Sequence, residues 1–189
     1  MSVARLCRHL VRLLRHLILF SKKKPRVKGV FFDLGDTLVS EEILLEKGIT
    51  ETLPYAHEVL KTLFGQYKLA IICNTDASEE EVQKLLEGAR IDKYFNLVVV
   101  SSEVGSSKPD EKIFRIALEE LSLNADEVVM ISNRISADIL GGNRLGMKTV
   151  HLKWNDRYLE KVTNETEKPS YTITSLRELV PLLAKLDCT

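Results

Sequence analysis

Short unbroken apolar runs recur along this chain, each followed by polar punctuation and then by a segment of helical period. The runs cover residues 30–32, 68–73, 96–100, 127–131 and 148–152. Runs of this length, bounded by turn residues, read as strands buried on both faces. Helical segments follow at 54–64, 78–88, 110–121, 136–145 and 176–186. Pro54 suits a first turn, Gly65 and Gly146 stop helices, Asp110 can cap one, and Ser78 with Glu81 and Ser175 with Glu178 form capping boxes. Pro181 should bend the last helix. Residues 40–52 read as a short acidic segment, 101–109 as a polar loop, and 154–171 as an irregular stretch with room for one short helix. Strands alternating with helices predict an α/β fold, a Rossmann-like three-layer sandwich around a central parallel sheet.

A different pattern precedes the first strand. Within residues 2–20, Arg5, Arg8, His9, Arg12, Arg15 and His16 fall on one helical face and Leu6, Cys7, Leu10, Leu13, Leu14 and Leu17 on the other. Lys22, Lys23, Lys24 and Pro25 end that pattern. Residues 1–24 are therefore expected to form a basic amphipathic helix ahead of an α/β domain at 25–189. Arginines interrupt the segment too often for a membrane span, and its apolar run is too short for a secretory signal. Three readings stay open: a helix docked on its own domain or on a second subunit, one lying on an anionic membrane surface, and an organelle transit peptide.

Charge sharpens the contrast between head and body. The chain balances 27 basic against 27 acidic side chains. Nine of the basic ones, and no acid, lie in residues 1–32, which leaves 18 basic against 27 acidic in the rest. No nucleic-acid partner is expected from such a body. Cys7, Cys73 and Cys188 have no motif spacing, so no disulfide framework is expected and a cytoplasmic, reducing compartment is the default.

The candidate chemistry lies just after the strands. Asp33 follows the first, Cys73 and Asn74 the second, Lys108 the loop after the third, and Asn133 with Asp138 the fourth. A parallel sheet brings such positions together at its carboxyl edge. Two acids, an amide and a lysine around one point make a site for a divalent cation and an anionic substrate, with Asp33 free to attack phosphorus.

The segment Phe31-Phe32-Asp33-Leu34-Gly35-Asp36-Thr37-Leu38 resembles the first motif of the haloacid dehalogenase superfamily. Ile71-Ile72-Cys73-Asn74 resembles the end of the second, Val104 to Phe114 the third around Lys108, and Met130-Ile131-Ser132-Asn133 with Asp138 the fourth. The resemblance implies a Mg2+-dependent phosphatase working through an aspartyl-phosphate. Asp33 and Lys108 would be catalytic, and Cys73, Asn74 and Lys108 would bind the substrate. Asp33, the Gly35 carbonyl, Asn133 and Asp138 would hold the metal. Three positions depart from the family pattern. Gly35 stands where relatives carry an acid/base Asp, Cys73 where they carry a hydroxyl, and Asn133 where they carry an acid. A cysteine phosphatase is not indicated, because Glu79 stands where that chemistry wants an arginine. The interval from Asp33 to Cys73 leaves no room for a sizeable cap domain. An open site is therefore expected, suited to a bulky or surface-bound phosphomonoester or to a lid from another subunit. The three departures support an alternative, a weakened pseudoenzyme serving as a binding or membrane-associated scaffold.

Overall fold

The computed structural model describes residues 27–187 apart from Asp156 and Leu159. The head at 1–24, with its amphipathic pattern, lies outside the described residues. No helix among the described residues is long and apolar enough to cross a membrane.

Six strands form one parallel sheet: β1 Gly29–Phe32, β2 Lys68–Cys73, β3 Leu97–Val100, β4 Val128–Ser132, β5 Lys148–Leu152 and β6 Tyr171–Ile173. Their order is β3-β2-β1-β4-β5-β6. β1 thus lies between β2 and β4, with Phe31 in register with Ala70 on one side and Met130 on the other. Successive side chains of a strand point to opposite faces, which explains the unbroken apolar runs. Val30 and Phe32 join a core completed by Val59 and Leu60 of α2 (Ala56–Leu63), Val82 and Leu86 of α3 (Glu79–Gly88), and Leu179 and Leu183 of α7 (Leu179–Asp187). Phe31 joins the opposite core with Ile113, Phe114 and Ala117 of α5 (Glu111–Glu120). The expected sandwich is present.

Several elements differ from the sequence-based expectation. The acidic segment holds a helix, α1 (Glu41–Lys47), capped by Ser40 accepting from the Ile43 N–H and closed by Gly48 at φ 64°. An antiparallel bridge between Val39 and Thr52 fastens its base. The polar loop begins with one helical turn, α4 (Ser101–Val104). The helix after β4 opens as a π-turn, Ile135–Ile139, before α6 (Leu140–Leu145). β6 was not expected; it has three residues and lies at the sheet edge, too short for a pattern. The last helix is preceded by a separate 3-10 turn, Leu176–Glu178. Pro181 therefore falls in the first turn of α7, where a missing N–H costs no intrahelical bond.

The strand order reverses direction at β1 and β4, and such reversals open a crevice at the carboxyl ends. Close helix packing holds that edge. A Cβ on Gly141 of α6 would lie 2.3 Å from Cε2 of the buried Phe114 ring. Gly141→Ala is expected to lower unfolding stability, because overpacking of about 1–3 kcal/mol outweighs the ~1 kcal/mol gained in helix propensity. Denaturant titration checks this; an unchanged or raised midpoint would show that α6 can move away from α5.

Candidate active site

Asp33 continues the β1 ladder, its N–H donating to the Ile131 carbonyl at 3.1 Å, and then the chain turns. Its carboxylate enters the crevice with only 8% of the residue exposed. Lys108 comes from the loop between α4 and α5 and is buried as well. Its ammonium donates to Asp33 Oδ1 and to the Ile72 carbonyl, both at 2.7 Å. It lies 2.8 Å from Asp138 Oδ1. One cation thus joins the ends of three strands. Asn74 fixes the loop that carries it: Asn74 Nδ2 donates to the Lys108 carbonyl at 3.0 Å, and the Lys108 N–H donates to Asn74 Oδ1 at 2.8 Å. The role seen for the Asn74 side chain is thus to hold Lys108 in place.

Asp138 sits on the π-turn, where both its own N–H and that of Ile139 reach the Arg134 carbonyl. Ser132 Oγ donates to Asp138 Oδ2 at 2.9 Å and accepts from the Arg134 N–H at 3.0 Å. Thr37 Oγ lies 3.3 Å from both Asp33 Oδ2 and Asn133 Oδ1, its one proton serving either, and accepts from the Asn133 N–H. Ser132 and Thr37 are fully buried and were not singled out from the sequence. Thr37 lies inside the first motif and Ser132 ends a strand, so position alone could have marked both.

The electrostatics follow from burial. Burial pushes the Asp138 carboxyl up to about 7, with Lys108 pulling it down and Asp33 pushing it further up. Burial opposes the Lys108 ammonium, but Asp138 and Asp33 outweigh it and hold the lysine charged above its usual range. Burial and then Asp33 push the Cys73 thiol up to about 12, so Cys73 presents a neutral S–H rather than a thiolate.

Two carboxyl groups share one ammonium in this buried cluster, so holding both ionised calls for a further cation. The oxygens of Asp33, Asp138 and Asn133 and the Gly35 carbonyl are hard donors of the kind Mg2+ takes. Asn133 Oδ1, the atom a cation would take, faces only the Thr37 hydroxyl, whose one proton is shared with Asp33. The residues fit the cation, although they include only two carboxylates and do not form a group of three or more His, Cys, Asp or Glu ligands.

The site is partly covered. Asp33, Gly35, Cys73, Asn74, Lys108 and Asp138 line a cavity of about 100 Å3, and Glu41, Arg134 and Tyr158 roof it. Trp154 Nε1 donates to the Asp36 carbonyl at 2.6 Å, and the Tyr158 hydroxyl donates to Glu41 Oε2 at 2.8 Å. The Arg134 guanidinium stacks 4.2 Å from the Tyr158 ring centre. α1 and the segment after β5 thus supply a small cover that the sequence did not indicate. Asp36 points away from Asp33. It is buried, accepts from the Glu41 N–H at 3.0 Å and faces Arg157 at 3.4 Å.

With this geometry in view, the comparison with known proteins is specific. Residues 40–152 match the family model described as haloacid dehalogenase-like hydrolase. The chain belongs to that family. It is 38% identical over 139 residues to pyrimidine 5'-nucleotidase YjjG of Escherichia coli (strain K12), a match covering 72% of this chain and 59% of that protein. It is 31% identical to a glyceraldehyde 3-phosphate phosphatase of Methanocaldococcus jannaschii, covering 85% of this chain and 70% of that one. The chain spans 55% of another such phosphatase, from Pyrococcus furiosus, so it covers little more than half the length of several relatives. Among solved structures, an uncharacterized protein from Listeria monocytogenes serotype 4b superposes with a TM-score of 0.71 at 27% identity, covering 84% of this chain and 99% of that one. A putative hydrolase of this family, YfnB from Bacillus subtilis, described as bound to magnesium, superposes at 0.70 with 18% identity and supports the fold.

Lys108→Met is expected to destabilise the protein by about 3–5 kcal/mol, because it leaves two carboxylates facing each other without their cation. Denaturant unfolding measures it. A loss below 1 kcal/mol would mean that the ammonium is not what holds the three strand ends together.

Proposed function

We propose that this chain is a Mg2+-dependent phosphatase that works through an aspartyl-phosphate on Asp33. The observation that carries the reading is the buried Asp33–Lys108–Asp138 cluster at the strand ends, opening into a cavity with room for a phosphate group. Asp33 would attack phosphorus and the bond to the leaving oxygen would break. Lys108 would hold a phosphate oxygen and keep the Asp33 carboxylate aimed. The Cys73 thiol and the Asn74 backbone N–H would line the opposite wall, the weak S–H leaving more of the binding to the backbone. Asp33, the Gly35 carbonyl, Asn133 and Asp138 would hold Mg2+, which when bound supplies the positive charge the cluster lacks. Ser132 and Thr37 would fix Asp138 and Asn133 for that role.

The substrate class follows from the space. The cavity takes the phosphate, and the rest of the molecule must lie outside it. An apolar groove of about 280 Å3 leads away between α1 and α3, lined by Leu44, Val82 and Leu85 and sharing Gly35, Cys73 and Asn74 with the cavity. A phosphomonoester with a partly apolar leaving group fits this arrangement. The basic segment 1–24 would hold the domain at an anionic surface.

Two measurements test these readings. With Mg2+ present, the full chain is expected to release phosphate from small phosphomonoesters. Asp33→Asn should reduce this to background, since a neutral amide cannot form the acyl-phosphate. A variant retaining more than roughly a hundredth of the rate, against the many orders of magnitude that catalysis supplies, would exclude Asp33 as nucleophile. No release by the native chain would favour the scaffold reading, to which the neutral Asn133 lends support. In a separate assay, the full chain is expected to sediment with anionic vesicles at low salt and to leave them as salt rises. Salt-independent sedimentation, or none, would remove the membrane reading.

A further inference from the structure

Gly35 leaves a space that another side chain fills. A Cβ built on Gly35 would lie 2.0 Å from Glu41 Oε1, 2.8 Å from its Cδ and 2.9 Å from its Cγ. The Glu41 carboxylate therefore stands where a side chain at position 35 would begin. It is also held there. Asp36 accepts from the Glu41 N–H, Tyr158 donates to Oε2, and the Arg157 guanidinium lies 3.6 Å from the same oxygen. The first fixes the backbone, and the other two engage Oε2 and leave Oε1 as the oxygen over Gly35. Glu41 also lies at a boundary: it lines both the polar cavity with Asp33 and Lys108 and the apolar groove beyond it. A phosphomonoester with its phosphate in the cavity and its organic part in the groove would place the breaking P–O bond beside this carboxyl group.

We infer that Glu41 is the general acid and base of the reaction, supplied from α1 in place of a side chain at position 35. The inference rests on the phosphatase reading above. In the first half-reaction, Asp33 forms a bond to phosphorus as the bond to the leaving oxygen breaks. The Glu41 proton passes to that oxygen, releasing an alcohol. In the second, water attacks phosphorus and the Glu41 carboxylate takes its proton. The acyl–phosphate bond breaks, inorganic phosphate leaves and Asp33 is restored. The proton taken from water is the one delivered to the next leaving group, so the cycle closes without another donor. Arg157 and Tyr158 act as positioning residues, fixing Oε2 so that Oε1 faces the bond. By the same geometry, a side chain added by Gly35→Asp alone would push the Glu41 carboxylate aside, so that variant trades one acid for another.

The test compares two substrates with Mg2+ present, hexyl phosphate, whose leaving group needs a proton, and p-nitrophenyl phosphate, whose leaving group does not. Glu41→Gln keeps size and shape, and a thermal melt confirms that it folds. Its kcat/KM, which reports the first half-reaction, should fall roughly 100-fold or more for hexyl phosphate and by less than about tenfold for p-nitrophenyl phosphate. With the base also gone, p-nitrophenolate should appear as a burst equal to the enzyme concentration, as phosphorylated protein accumulates. Gly35→Asp combined with Glu41→Ala should recover hexyl phosphate hydrolysis relative to Glu41→Ala alone. An equal fall on both substrates, no fall on either, no burst, or a double variant no better than Glu41→Ala would overturn the assignment of Glu41 while leaving the phosphatase reading intact. A native chain that hydrolyses neither ester would overturn both.

Discussion

One ammonium group holds the functional end of this molecule together. Lys108 reaches the carboxylates of Asp33 and Asp138 and the carbonyl of Ile72 within 2.8 Å. β1, β2 and β4 therefore converge on a single charge. Removing such a cation from a buried site leaves uncompensated carboxylates, which is far more costly than the pair is stabilising. The surrounding contacts follow from that constraint. Asn74 fixes the Lys108 backbone from both sides, Ser132 orients Asp138 and supports the turn that carries it, and Thr37 ties the Asp33 turn to Asn133. With both carboxyl groups ionised the cluster would be one positive charge short of balance, a deficit that a bound cation would fill.

The cover depends on the same turn. Asp36, one residue after Gly35, is buried and turned outward, at φ 50°. From there it accepts from the first N–H of α1 and faces Arg157, while its carbonyl accepts from Trp154. The nucleophile turn is thus the anchor for both pieces of the roof. α1 fully buries none of its residues; beside the half-buried Ile43 and Leu44, the Ser40 cap, the Asp36 contact and the Tyr158–Glu41 hydrogen bond hold it in place. Gly35 and Glu41 fit as a complementary pair, a missing side chain on one element matched by a carboxylate from another.

How much of this was legible beforehand depended on how local its cause is. β1, β2 and β4 were readable because strands buried on both faces must be continuously apolar, and the capping boxes at Ser78 and Ser175 because each closes within four residues. Asp33, Cys73, Asn74, Lys108, Asn133 and Asp138 could be grouped because a parallel sheet forces its strand ends to one edge; the cavity contains all but Asn133, which borders a neighbouring pocket and reaches the Asp33 turn through Thr37. β6 escaped notice because a three-residue edge strand carries no period. α1 escaped because it is short and its apolar positions form no buried stripe, with Ile43 and Leu44 half-buried and Leu45 76% exposed, although Ser40 and Gly48 marked its two ends. Glu41 could not have been identified from sequence. Nothing in its neighbourhood says that the carboxylate reaches back over Gly35, and its partner Tyr158 lies 117 residues away.

An aspartyl-phosphate on Asp33 is the central step of the proposed reaction, and chemical trapping examines it directly. Protein turning over a phosphomonoester in the presence of Mg2+ would be quenched in acid within milliseconds and digested, and its peptides weighed. One added phosphoryl group on Asp33 is expected. Steady turnover with no phosphorylated protein at any quench time, or with the phosphoryl group on Cys73 instead, would contradict it.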